Sequence, residues 1–394
     1  MLSLSKSAYQ IDGQPMFKVL DRVQELERQG KEILHFELGE PDFDTPANII
    51  DACINSLKSG NTHYTSSMGL YELRKAVSET TMKSRGFAPD IDQILVTPGA
   101  NSIIYFAIRC LVNPGEEIIV PDPGFPTYYS AIKFCGATAV RVALKEENKH
   151  QLKAEDIAEK ITDKTRLIII NSPSNPTGAV MSKEDIKGIY DLCKQHDIFL
   201  LSDEIYSRLT FFDEYEFFSP SMLDFCKTNT LVLNGFSKAF AMTGWRLGAA
   251  IGPRHLIEKM GLLVQTINSC VPPFIQEAGI EAINGDQTAV QHMKHEYARR
   301  REVLVEGLNS IEGVRCALPE GAIYAFANVS GLGMDGEEFS EFALENAGVA
   351  VLPGSSFGVY ANDFVRICYV NSIENIKLAI ERLKEALASR GNAV

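Results

Sequence analysis

Between residues 94 and 251 the chain alternates short, unbroken apolar runs with amphipathic stretches, and this pattern restricts it to very few folds. The runs at 94–97, 117–120, 138–142, 167–170, 198–201, 231–233 and 247–251 read as strands. Stretches at 101–112, 127–134 and 183–196 carry helical spacing instead. A strand that is apolar throughout must be covered on both faces, and only helices packed above and below a parallel sheet supply that cover. The pattern therefore predicts an α/β fold: a large domain at 46–282 with a mostly parallel seven-stranded sheet covered by helices. A helix starting near Arg254 is expected to lead toward the domain junction. Beyond 283 the order changes to helix 291–308, strands 314–318 and 323–329, helix 337–345, strands 349–352 and 365–369, and a last helix at 374–387. This reads as a smaller α+β domain, 283–394. Residues 1–45, too few to fold alone, are assigned to it as well.

Composition narrows the class of partner. A net charge of −13 over 394 residues argues against nucleic acid and anionic membranes, though not against small anions held by local charge. No apolar run approaches the roughly 20 residues that span a bilayer. The eight cysteines are scattered without any CxxC pair, so they read as free thiols and no metal site is expected. The first residues lack the basic and apolar segments of a secretory signal, and a cytoplasmic location is the expectation.

In a parallel sheet, ligands sit beyond the carboxyl ends of the strands, so the residues after each run are the ones to inspect. After the first comes Pro98-Gly99-Ala100-Asn101, small residues opening a helix whose free N–H groups suit a phosphate. After 167–170 comes Asn171-Ser-Pro-Ser-Asn175-Pro-Thr-Gly178, and after 198–201 comes Ser202-Asp203-Glu204-Ile205-Tyr206. After 231–233 comes Gly235-Phe-Ser237-Lys238, followed eight positions later by Arg246 between Gly244 and Gly248. Apolar neighbours disfavour the ammonium form of Lys238, and small residues leave room for an adduct, as a nucleophilic amine requires. Arg246 is a natural clamp for phosphate or carboxylate. An amine, an acid, an amide, a phenol and a phosphate cradle on one edge form the set that pyridoxal 5′-phosphate (PLP) requires.

With those residues in place, the chain resembles the fold-type I, class I/II PLP-dependent aminotransferases, closest to the bacterial aspartate aminotransferase branch. The likeness runs from about Leu38 to the last helix, and Gly235 to Lys238 through Arg246-Leu-Gly248 matches the family's lysine signature. The resemblance implies that Lys238 is the Schiff-base lysine and proton shuttle, with Ser237 beside it, and that Arg246 binds the cofactor phosphate cradled by Gly99, Ala100 and Asn101. It implies that Asp203 holds the pyridinium nitrogen, Asn175 and Tyr206 the ring oxygen, and that Phe125 stacks on the ring. Arg366 and the backbone of Gly39 would take the substrate α-carboxylate, with Asn175 and Phe125 also lining the substrate side. Tyr64 would reach the phosphate of a neighbouring subunit in a homodimer, an arrangement to which segment 268–273 also points. The substrates implied are an amino acid and a 2-oxo acid such as 2-oxoglutarate or pyruvate, exchanged by a ping-pong mechanism.

Some positions depart from the family. Aspartate-specific members of this branch carry a lysine where Asn101 stands, the stacking aromatic is Phe125 in place of tryptophan, and Gly235 replaces a common phosphate-binding serine. Together with Met16 and Phe17, in a segment that lines the pocket of relatives, these features point to a neutral amino donor, apolar or aromatic. Three alternatives stand beside it: an aspartate aminotransferase with an altered side-chain site, a PLP-dependent lyase on the same fold, and a ligand-sensing regulator. His292 and His295, three apart among Lys294, Arg299, Arg300 and Arg301, read as part of a solvated helix face, and 212–217 as an exposed acidic loop.

Overall fold

A computed structural model describes residues 3–5, 8–11, 13, 15–212 and 217–391, without the side chains of Pro15, Met16, Lys18 and Gly391. The pocket assignment of Met16 and most of the acidic loop therefore lie outside the described residues. In chain order the strands are β1 (Leu34–His35), β2 (Ile94–Thr97), β3 (Glu117–Asp122), β4 (Thr138–Ala143), β5 (Thr165–Asn171), β6 (Phe199–Asp203), β7 (Thr230–Gly235), β8 (Gly248–Ile251), β9 (Arg315–Cys316), β10 (Tyr324–Asn328), β11 (Val349–Ala350), β12 (Leu352–Pro353) and β13 (Phe364–Cys368).

Seven of them form one sheet in the order β2-β8-β7-β6-β5-β3-β4. All its pairs are parallel except those of β8, which runs antiparallel to both β7 and β2. The reversal has a local cause. Connection 236–247 forms turns and no crossover helix, so the chain reverses at the carboxyl end of β7 and comes straight back. Lys238 and Arg246 both sit on that turn.

The central strands are apolar on both sides. Leu167, Ile168, Ile169 and Ile170 are all fully buried, each worth roughly 1.5–3 kcal/mol of transfer free energy. In such a strand a slip of one residue exposes nothing, so the apolar run cannot fix the register. The polar ends do. Asn171 Nδ2 donates to the Asp203 carbonyl at 3.1 Å, and its Oδ1 accepts from the Asn175 N–H at 2.8 Å. These bonds set β5 against β6 and shape the loop that follows.

The tail forms an antiparallel sheet in the order β12-β13-β10-β9, and β1 pairs in parallel with β11. Val23, Leu26 and Ile33 near the N-terminus pack with Leu344 and Ala350. The helix begun at Arg254 stops at Asn268 and a second one runs Pro273–Asn284, with Ser269 at φ 67° between them. Pro272-Pro273 causes the break: proline lacks the N–H that continues a helix but suits the first turn of a new one. The strand expected at 314–318 narrows to β9, and the helix expected at 337–345 ends at Phe342 in a π-turn, Ala343–Ala347. No helix among the described residues is long and apolar enough to cross a membrane.

On helix Thr288–Asn309 His292, His295 and Arg299 are exposed, as the solvated-face reading expects, but two of the arginines grouped with them depart from it. Arg300 and Arg301 are buried. Arg300 Nη1 pairs with Asp42 Oδ1 at 2.8 Å and the guanidinium lies over Phe43, while Arg301 Nη1 donates to the Pro319 carbonyl at 2.9 Å. His292 meets Phe43 edge-on at 6.0 Å.

Candidate active site

The carboxyl ends of β2, β5, β6 and β7 open toward β10 and β13, and most of the expected residues converge there. Asp203 ends β6 and is 4% exposed. Its carboxylate accepts from the Tyr128 hydroxyl at 2.6 Å and the Ile205 N–H at 3.2 Å, and among the described residues no lysine or arginine pairs with it. Burial raises its pKa from 3.8 to about 6 against those two bonds.

Lys238 Nζ donates to the Gly39 carbonyl across the cleft. Burial, with smaller contributions from Arg366 and Arg246, holds the amine down at about 8, so a sizeable neutral fraction exists near neutrality. Gly39 has no room for a side chain, since a Cβ there would run into the Tyr324 ring. The Tyr324 hydroxyl in turn bonds the Tyr206 hydroxyl at 2.6 Å.

Arg366, on β13, is 1% exposed and lies between two rings, 4.5 Å from the Tyr324 centroid and 4.7 Å from that of Phe357. Its Nη1 donates to Asn175 Oδ1 at 3.2 Å and its Nη2 to the Glu37 carbonyl, while Nε has no partner. A buried guanidinium with an unused N–H is poised for an anion.

Gly99, at φ +85°, turns the chain into helix Asn101–Leu111, and a Cβ on it would collide with the Arg246 guanidinium. A Cβ on Gly248 would press the Ala100 nitrogen at 2.8 Å. Arg246 therefore borders the Pro98-Gly99-Ala100 turn, with Nη1 on the Thr243 carbonyl at 2.9 Å and the rest of its head exposed. Ser237 is buried, and Phe125, just ahead of Pro126, meets Tyr128 edge-on at 5.7 Å. Asn101 is exposed at the head of its helix. Two residues stand apart from this cluster: Tyr64 is 88% exposed and Phe17 54%.

The sequence model of the aminotransferase class I and II family matches residues 31–383. The chain belongs to the class I and II aminotransferases. It is 41% identical to an aspartate aminotransferase of Pyrococcus horikoshii over 93% of this chain and 94% of the relative. An aromatic-amino-acid aminotransferase of Thermococcus litoralis is 36% identical over 99% of both chains. The crystal structure of the Rhizobium meliloti aspartate aminotransferase superposes with a TM-score of 0.94 at 35% identity, covering 98% of this chain and 99% of that one.

Aminotransferases of this family use PLP, and the observed residues fit it. Asp203 is a buried acid lacking a cation, as a protonated pyridine nitrogen would supply. Gly99 keeps the space beside Arg246 free of a side chain, and Gly248 lets the Gly99-Ala100 turn approach β8. When bound, PLP supplies an electron sink for the pair left as the α-proton departs. Two residues of this aminotransferase site escaped the sequence reading: Tyr128 and Tyr324. Tyr128 shares the buried face of helix Pro126–Phe134 with Ala131 and Ile132, and that i, i+3, i+4 stripe was its signal. Tyr324 carries no local mark.

Proposed function

We propose that this aminotransferase moves the α-amino group of a neutral amino acid, apolar or aromatic, to a 2-oxo acid such as 2-oxoglutarate or pyruvate by a ping-pong mechanism. The observation that carries the donor class is the exposed, uncharged Asn101 at the head of the phosphate-side helix, which offers a side-chain carboxylate no counter-charge. In this reading Lys238 would take the substrate α-proton and carry it until it is returned, while PLP would supply the electron sink. Asp203 keeps the ring nitrogen protonated, and Asn175 and Tyr206 bond the ring oxygen. Phe125 covers the ring face. Arg246, Ser237 and the Gly99-Ala100-Asn101 turn take the phosphate. Arg366 and the Gly39 backbone grip the substrate carboxylate.

The name of the Pyrococcus relative favours a second reading, an aspartate donor with a rearranged side-chain site. One experiment separates the two. With the PLP-loaded enzyme and single amino acids, neutral donors should bleach the absorbance of the lysine-bound cofactor rapidly and stop after one equivalent. Rapid bleaching by aspartate alone would overturn the Asn101 argument, and continued turnover without an oxo acid would indicate a lyase.

The same reading includes a cytoplasmic homodimer, with Tyr64 reaching its neighbour's phosphate and with domains at 46–282 and at 1–45 plus 283–394. Ile50, Ile54, Leu57, Leu262 and Ile267 are exposed and apolar on the helices flanking that side, which supports a covered face. Sedimentation as a dimer is expected, and a stable, active monomer would end this part of the reading.

A further inference from the structure

Behind Arg366 lies an acid that the proposed chemistry does not use. Glu37 is fully buried, and Oε1 meets His35 Nδ1 at 2.8 Å while Oε2 has no partner. His35 Nε2 meets Glu27 Oε1, on helix Pro15–Arg28, at 3.1 Å. Residues 35 and 37 are two apart on extended chain, so their side chains share a face. The Glu37 carbonyl accepts from Arg366 Nη2. The segment is docked on β13 by the Cys368 N–H, which donates to the Phe36 carbonyl at 2.9 Å.

A buried carboxylate is tolerated only where a cation faces it. Among the described residues the one hydrogen-bond partner of the Glu37 carboxylate is the His35 ring, and Arg366 is engaged by the carbonyl of the same residue and not by its acid. The pairing therefore restrains the torsions of residue 37, and those torsions aim the carbonyl. We propose that His35 and Glu37 are positioning residues: their pairing aims the Glu37 carbonyl and thereby holds the Arg366 guanidinium in its carboxylate-binding pose. This inference rests on the reading of Arg366 as the substrate-carboxylate group.

The groups facing the His35 ring are Glu37 on its own segment and Glu27 from the N-terminal helix. Arg366 and Cys368 on β13 act through the Glu37 peptide, and β11 brings only Ala350. The hydrogen bond to Glu37 raises the His35 pKa from 6.5 to about 9, against burial and with help from Glu27. The pairing is thus complete below about pH 6.5 and is lost as pH rises through about 9.

The test is calorimetric titration of the PLP-loaded enzyme with 3-phenylpropionate and with glutarate, carboxylates that cannot react. His35→Gln and Glu37→Gln should each weaken binding roughly tenfold, with kcat within about twofold and KM for both substrates raised together. Wild-type affinity should fall above about pH 9, and that fall should vanish in His35→Gln. His35 is partly exposed, so its variant folds even if Glu37→Gln does not. Arg366→Ala is the control. If it weakens binding while His35→Gln does not, the inference falls and the Arg366 reading stands. If Arg366→Ala binds normally, the Arg366 reading fails, and this inference with it.

Discussion

Lys238→Ala is expected to lower turnover by more than about 10⁴-fold, since one change removes both the nucleophilic amine and the group that carries the α-proton. The variant should still fold and retain cofactor, because Arg246, Asp203 and the Gly99 turn are untouched. A second signature comes from the cofactor-free protein. Its amine is held at about 8 against an ordinary 10.5, mainly by burial. Between those values the unfolded chain binds more protons than the folded one, so stability rises with pH across that window. Thermal melts of wild type should therefore gain on those of Lys238→Ala between pH 8 and pH 10.5. Turnover within tenfold of wild type would sink the assignment.

Asp203→Asn is expected to cost about 10²–10⁴-fold in kcat, because removing one partner of a buried charge pair costs roughly 3–5 kcal/mol. The acid is buried beside Tyr128, with a pKa near 6 in the cofactor-free chain. A folded-state value above 3.8 means that the folded protein binds the extra proton between pH 3.8 and about 6. Its contribution to stability is thus present at low pH and lost as pH rises through that window. Cofactor affinity should behave in the opposite way, falling as pH drops below about 6 because protonated Asp203 no longer attracts a pyridinium. Fluorescence titration with PLP at pH 5 and pH 8 measures this, and Asp203→Asn should show little of the change. Unaltered kcat in the variant would remove Asp203 from the ring nitrogen.

The sheet was legible because strands buried on both faces must be apolar throughout, and each run ends where polar chemistry begins. That rule pointed to the segments that hold Asn175, Asp203 and Lys238, and the family resemblance assigned their roles and that of Arg246. Tyr324 escaped both, because it faces Tyr206 from another sheet 118 residues away, and no local spacing marks such a meeting. Arg300 and Arg301 misled for a different reason. Charge density suggested a wet surface, yet Met293, Tyr297, Arg300, Leu304 and Leu308 follow the helical period of the buried stripe. Periodicity was the better guide there, since a guanidinium paired with a carboxylate or capping a carbonyl can be buried.

The crowding of Gly39 against Tyr324 bears on how such an enzyme diversifies. Any side chain at position 39 would displace the phenol that contacts Tyr206 and lies over Arg366, so the carboxylate end of the pocket is closed to drift. Asn101, by contrast, is exposed at the head of its helix. New substrate ranges in this lineage should therefore arise around Asn101, while the grip shared by every amino acid stays fixed.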